Sequence, residues 1–165
     1  MKQLKTLVIA AIALFGAQTI NAQAKVAHVD TNEIMSKMPA MLDAQNQLKK
    51  LSETYDKEYK TLVDEYQAKI KKYDAEASTV TDAVNQTRQT EVQDMIKRIN
   101  DFKETAQSDL QKKEGDLMKP ILEKVKASIQ KVGKAKGYQY VLNATDLLLT
   151  DGPDLTADIK KDLGF

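Results

Sequence analysis

Apolar residues recur through the middle of the chain at Leu48, Leu51, Tyr55, Tyr59, Leu62, Tyr66, Ile70, Tyr73, Ala77 and Val80, at intervals of 3, 4, 4, 3, 4, 4, 3, 4 and 3. Two successive 3-4-4 sets make an eleven-residue repeat of about 3.67 residues per turn, which favours straight or slightly right-handed packing over a left-handed heptad coil. No Pro or Gly interrupts Ala40–Gln111. The spacing predicts a helix from Met41 to Ser78, about 57 Å long at 1.5 Å per residue. "ASTVTDAVNQT" (Ala77–Thr87) then breaks the run, because Ser, Thr and Asn compete for backbone hydrogen bonds. Thr79 with Asp82 three residues on reads as the next helix start. A second stripe follows at Val92, Met95, Ile99, Phe102, Ala106, Leu110, Leu117, Ile121, Val125, Ile129 and Val132. Helix, short polar turn and helix make an antiparallel pair. Acid-before-base pairs four apart decorate both helices: Glu53–Lys57, Asp56–Lys60, Glu65–Lys69, Asp94–Arg98 and Asp109–Lys113. Pro120 either kinks the second helix or divides it, and a kinked continuous helix is the expectation. Gly137 supplies a left-handed C-cap.

The pattern changes at both ends. "KVAHVD" (Lys25–Asp30), "YQYVLN" (Tyr138–Asn143) and "DLLLT" (Asp146–Thr150) read as strands, with "NATD" turning the chain between the last two and "DGPD" ending the third. Asp30 with Glu33 three residues later caps a short helix running to Pro39, and Leu155, Ile159 and Leu163 form one face of a terminal helix. The hairpin returns the chain to its start, so the first strand lies beside the last two. The expected class is α+β. A small three-stranded body comes from residues 25–40 and 138–165, and a long helical arm from 41–137, with its tip near 78–86. A body of about fifty residues buries too little surface to be secure alone. Association through its strands would supply the deficit and cover open edges. Candidate residues for that contact are Val26, Val29, Ile34, Tyr140, Leu142, Leu147, Leu149, Leu155 and Ile159.

Ahead of the first strand, Lys2 and Lys5 precede an apolar stretch, Thr6–Ala17, too short to span a bilayer comfortably. "NAQA" (Asn21–Ala24) then offers cleavage after Ala22 or Ala24. Residues 1–24 therefore read as a signal peptide, and the mature chain as exported. Without Lys2 and Lys5, the 25 basic residues become 23 against 24 acidic ones. Such a chain is not polybasic, and nucleic-acid binding is not expected. Cys is absent, so there is no disulfide staple.

Chemistry is sparse. His28 is the sole histidine and has no partner at ligand or catalytic spacing. No phosphate-binding glycine loop is present, and the acids alternate with Lys as a solvated face would. No cofactor, metal or catalytic residue is assigned. Candidates for apolar contact with a bound chain are Met41, Tyr59, Tyr66, Met95, Phe102 and Met118. Met adapts to varied apolar surfaces, and helix-core packing is the competing role for all six.

The order of parts resembles the Skp/OmpH-like periplasmic chaperone family over Lys25–Leu163. "KVAHVDTNEIMSKMP" resembles its opening strand and short helix. "LMKPILEKVKASIQKVGKAKGYQYVLN" resembles its returning helix, with a Pro-Ile pair leading into Gly-Tyr and a strand. "DLT" at Asp154–Thr156 resembles the start of its terminal helix. The resemblance implies a homotrimer of jellyfish-like, prefoldin-like shape, with a β-rich trimerisation body and antiparallel two-helix coiled-coil arms. It also implies an ATP-independent periplasmic holdase that encloses unfolded outer-membrane β-barrel proteins. The chain departs from the basic members: within Tyr73–Glu91, Asp74, Glu76, Asp82 and Glu91 stand against Arg88. Membrane or lipopolysaccharide binding is therefore not carried over. The alternative is an envelope structural or adaptor protein whose arm docks one folded partner.

Overall fold

A computed structural model describes residues 24–165. The expected signal peptide lies, but for Ala24, outside the described residues. The element order is β1 (Val26–Val29), α1 (Thr31–Lys37), α2 (Pro39–Glu76), α3 (Asp82–Ala135), β2 (Tyr140–Asn143), a 3-10 turn at Ala144–Asp146, and α4 (Thr156–Leu163).

Local chemistry accounts for the helix ends. Asp30 caps α1 by accepting a 2.8 Å hydrogen bond from the Glu33 amide. Pro39 opens α2, where its missing N–H costs nothing, so the 38-residue helix starts two residues before the sequence pattern suggests. Thr81, not Thr79, caps α3: its Oγ1 accepts from the Val84 amide at 3.4 Å. α3 runs 54 residues without a break through Pro120. It ends in a Schellman motif. Gly137 sits at φ 76°, the Tyr138 amide donates to the Gly133 carbonyl at 2.9 Å, and the Gly137 amide donates to Lys134 at 3.0 Å. Gly164, at φ 93°, closes α4 the same way.

The two long helices lie side by side as a hairpin. Tyr55 meets Asp109, Glu65 meets Arg98, Lys69 meets Glu91 and Glu76 meets Arg88, so numbers rise along α2 as they fall along α3. At the near end the hairpin joins the core, where Ala44 of α2 and Ile121, Val125 and Val132 of α3 close on Ala27, Val29, Ile34, Met38, Leu155 and Ile159.

β1 and β2 pair in parallel, Val26 opposite Tyr140 through Val29 opposite Asn143. Parallel pairing follows from the route, since α3 carries the chain back past the start of β1 before β2 begins. Side chains alternate across the pleat. Ala27, Val29 and Val141 face α3, while Val26, His28, Tyr140 and Leu142 share the other face. β2 approaches α3 at Gly133, where a Cβ would lie 2.9 Å from Val141 Cγ2.

The expected third strand is corrected. Among the described residues the sheet has two strands, and Leu147–Thr150 forms none. The second edge of β1 is taken instead by Pro153–Leu155. The His28 amide donates to the Pro153 carbonyl and the Leu155 amide donates to the His28 carbonyl, both at 2.9 Å. Proline has no N–H to extend that ladder, so pairing stops at a single bridge.

Candidate functional site

The seam between α2 and α3 is an extended candidate surface. The eleven-residue stripe lies along it, with Leu48, Leu51, Tyr55, Leu62, Tyr66, Ile70 and Tyr73 half-buried against α3. Tyr55 and Phe102 meet edge to face, ring centroids 5.9 Å apart. The Tyr55 hydroxyl donates to Asp109 at 3.1 Å. Burial, and then that carboxylate, hold its pKa above the ordinary tyrosine value.

The seam is not evenly filled. An open hollow of about 760 Å³ lies along it, lined by the small Ser52 and Ala106 and walled by Leu48 and Leu110 on the body side and by Tyr59 and Phe102 on the tip side. A second hollow of about 500 Å³ lies near the tip among Ile70, Tyr73, Ala77 and Val92. Both open to solvent along the arm.

Charged side chains bridge the seam elsewhere, beside smaller hollows of about 370 and 330 Å³. Glu65 and Lys69, four apart on one helix, do not pair with each other; each crosses to α3, to Arg98 at 3.5 Å and to Glu91. The Tyr73 hydroxyl also donates to Glu91. Arg88 lies with its guanidinium carbon 4.5 Å from the centre of the Tyr73 ring and reaches Glu76 at 2.5 Å. The buried Arg88 Nη1 has no hydrogen-bond acceptor among the described residues, and the π face of Tyr73 lies beside that guanidinium. Asn85 donates to the Ala77 carbonyl at 2.9 Å and clips the turn.

The proposed association residues divide in two. Val29, Ile34, Leu155 and Ile159 are spent within one chain, each no more than 2% exposed. Val26, Tyr140, Leu142 and Leu149 are exposed, and Leu147 is half-buried. Leu148, not singled out in the sequence, is fully exposed beside Leu149. Of the contact candidates, Met95 is buried between the helices, while Met41, Tyr66, Phe102 and Met118 are half-buried and Tyr59 is exposed. Tyr59 and Phe102 border the larger hollow; Met41 packs on the core. His28 is buried, with Nε2 4.0 Å from Asp154 Oδ2. Asp154 is held below the ordinary aspartate value, chiefly by the Thr156 hydroxyl. Among the described residues no three His, Asp or Glu side chains gather as a metal site, and no helix is long and apolar enough to cross a membrane.

Comparison with known proteins agrees with this architecture. An uncharacterized protein of Aquifex aeolicus is 26% identical over 138 residues, covering 82% of this chain and 83% of that one. The crystal structure of a candidate outer membrane chaperone (OmpH-like) from Caulobacter crescentus superposes with a TM-score of 0.78 at 15% identity, over 86% of this chain and 85% of that one, and so shares the fold. The family model described as outer membrane protein (OmpH-like) matches residues 25–163, and the chain belongs to the Skp/OmpH-like family.

Proposed function

We propose that this protein is an ATP-independent periplasmic holdase, which binds unfolded outer-membrane β-barrel proteins and keeps them from aggregating. The observation that carries the reading is the form of the arm. Two helices of 38 and 54 residues present open, apolar-floored hollows along their seam. Such a surface offers many weak contacts, and a client bound only in its unfolded form is held from aggregation by mass action, without chemistry. Family membership supports the reading, as does likeness to a candidate outer membrane chaperone.

In this proposal residues 1–24 are a cleaved signal peptide, residues 25–40 and 138–165 form a hub, and 41–137 form a coiled-coil arm. Three copies join through the hub, and their arms enclose the client. The exposed Val26, Tyr140, Leu142, Leu148 and Leu149 provide the apolar surface for that contact. A two-stranded sheet is marginal alone, so a neighbour that covers it adds stability where the single chain has least.

The test uses the mature chain, from Lys25 onward, with a urea-unfolded porin diluted into buffer. Light scattering should stay low with the protein present, and native mass spectrometry should show a trimer carrying one client. Deleting Tyr66–Ile99 should leave an assembled hub that no longer suppresses scattering. Suppression retained by that deletion, or capture of one folded envelope protein in place of unfolded porin, would defeat the proposal.

A further inference from the structure

The two hollows lie on one flank of the hairpin. On α2 the larger is lined by Leu48, Ser52, Tyr55 and Tyr59, the smaller by Ile70, Tyr73, Asp74 and Ala77. These positions continue the same 3-4 spacing, so they share a face. On α3, Phe102, Ala106 and Leu110 line the first, and Asn85, Gln89 and Val92 the second, again at helical spacing. The opposite flank is different. Glu65 and Lys69 of α2 stand there with Glu91, Asp94 and Arg98 of α3. Two cross-helix ion pairs, Glu65–Arg98 and Lys69–Glu91, bridge that side. That flank has hollows too, but smaller ones, of about 370 Å³ among Glu58, Thr61, Leu62, Arg98 and Phe102 and about 330 Å³ beside Met95, so one side of the arm carries the two larger hollows and the other is bridged by charge.

Rim charges on the open flank cancel. Lys49 and Lys103 stand against Asp56 and Glu114 around the larger hollow, and Arg88 against Asp74 around the smaller. The lining residues of the two hollows are centred about twenty positions apart on α2, or about 30 Å at 1.5 Å per residue. An extended chain covers that distance in about nine residues at 3.3 Å each. That is about the length of one membrane-spanning β-strand, 9–11 residues.

We infer that the hollowed flank is the client-facing side of the arm, and that its occupant is one extended, charge-neutral strand segment of an unfolded β-barrel protein. Apolar side chains about nine residues apart seat in the two hollows. A neutral rim gives a charged segment no advantage, whereas an apolar floor rewards a segment of low charge. The hollows on the ion-paired flank are smaller and their α2 linings are centred about seven positions apart, or about 10 Å, too close to seat side chains nine residues apart. This assignment rests on the holdase reading and says which face and which length of client it uses.

The chain has no cysteine, so an introduced thiol is unique. Single variants Ser52→Cys, Gln107→Cys and Gln89→Cys place a benzophenone label at the hollows. Glu58→Cys and Asp94→Cys place it on the opposite flank. Each mature, labelled protein is mixed with urea-unfolded porin, assayed for suppression of scattering, and irradiated. The expected result is several-fold higher crosslinking from Ser52, Gln107 and Gln89 than from Glu58 and Asp94, with client peptides mapping to strand segments and a matched pair of sites about nine residues apart. Equal yields from both flanks, or higher yields from the ion-paired flank, overturn the assignment while leaving the holdase reading intact. Suppression without crosslinking from either flank also overturns it. Absence of suppression by the unlabelled mature protein defeats the holdase reading, and this assignment with it.

Discussion

Two glycines of one helix show how far a single residue's role depends on what faces it. Gly133 is buried against β2, and a Cβ there would sit 2.9 Å from Val141 Cγ2, on a side chain stiff at χ1. Gly133→Ala should destabilise by about 1–3 kcal/mol through overpacking, less a few tenths regained in helix propensity. Val141→Ala should restore most of it, read as urea midpoints. Gly115 has nothing within 4 Å of its would-be Cβ. There Ala should raise stability by about 0.5–1 kcal/mol. Glu33 offers a third test. Lys160 first, then Lys37, hold its carboxyl down from 4.5 to about 2. A depressed carboxylate contributes stability above its unfolded pKa and loses it as pH falls through the folded one. The tie of α1 to α4 should therefore be intact above about pH 4.5 and be lost by about pH 2. Thermal midpoints of Glu33→Gln across that window should fall less steeply than those of the parent.

At the scale of elements, what was legible in the sequence was local, and what was not depended on partners far along the chain. The α1 cap at Asp30 and the Gly137 terminus are fixed by residues within one turn, so both could be read directly. The stripe from Leu48 to Tyr73 gave α2 and its seam for the same reason. Leu147–Thr150 has the composition of a strand, but a 3-10 turn at Ala144–Asp146 follows β2 directly, the segment pairs with neither strand, and Pro153–Leu155 takes the second edge of β1. Periodicity could not choose between Glu65–Lys69 along the helix and the crossings to Arg98 and Glu91, since residues four apart beside a seam satisfy both. The larger hollow was hidden because its lining joins residues of both helices, Ser52 and Ala106 among them, and that juxtaposition is set by the stagger of the two helices. The tip depends on Arg88, which joins the Tyr73 ring and Glu76. Arg88→Ala should cost about 1 kcal/mol locally. It should speed amide exchange within 70–92 and leave 121–135 unchanged, as measured by hydrogen–deuterium exchange.

For the molecule as a whole, the apolar surface is unevenly distributed. The buried core sits where the near end of the hairpin meets β1, α1 and α4, and exposed Leu148 and Leu149 lie in the loop after β2. If copies associate there, the double variant Leu148→Ser with Leu149→Ser should shift the sedimentation profile toward single protomers, leaving the circular dichroism of the long helices intact. Unchanged sedimentation would place the contact elsewhere. The rungs that join the two long helices, from Tyr55–Asp109 out to Glu76–Arg88, involve no residue of the sheet or of α4. Reach is therefore separable from anchorage. Eleven residues added to α2 and eleven to α3 at the same rung would preserve the phase of the stripe and extend the reach by about 16 Å. The distance spanned becomes a quantity that matched insertions or deletions can adjust in steps, as a ruler is graduated, while the anchoring end stays as it is.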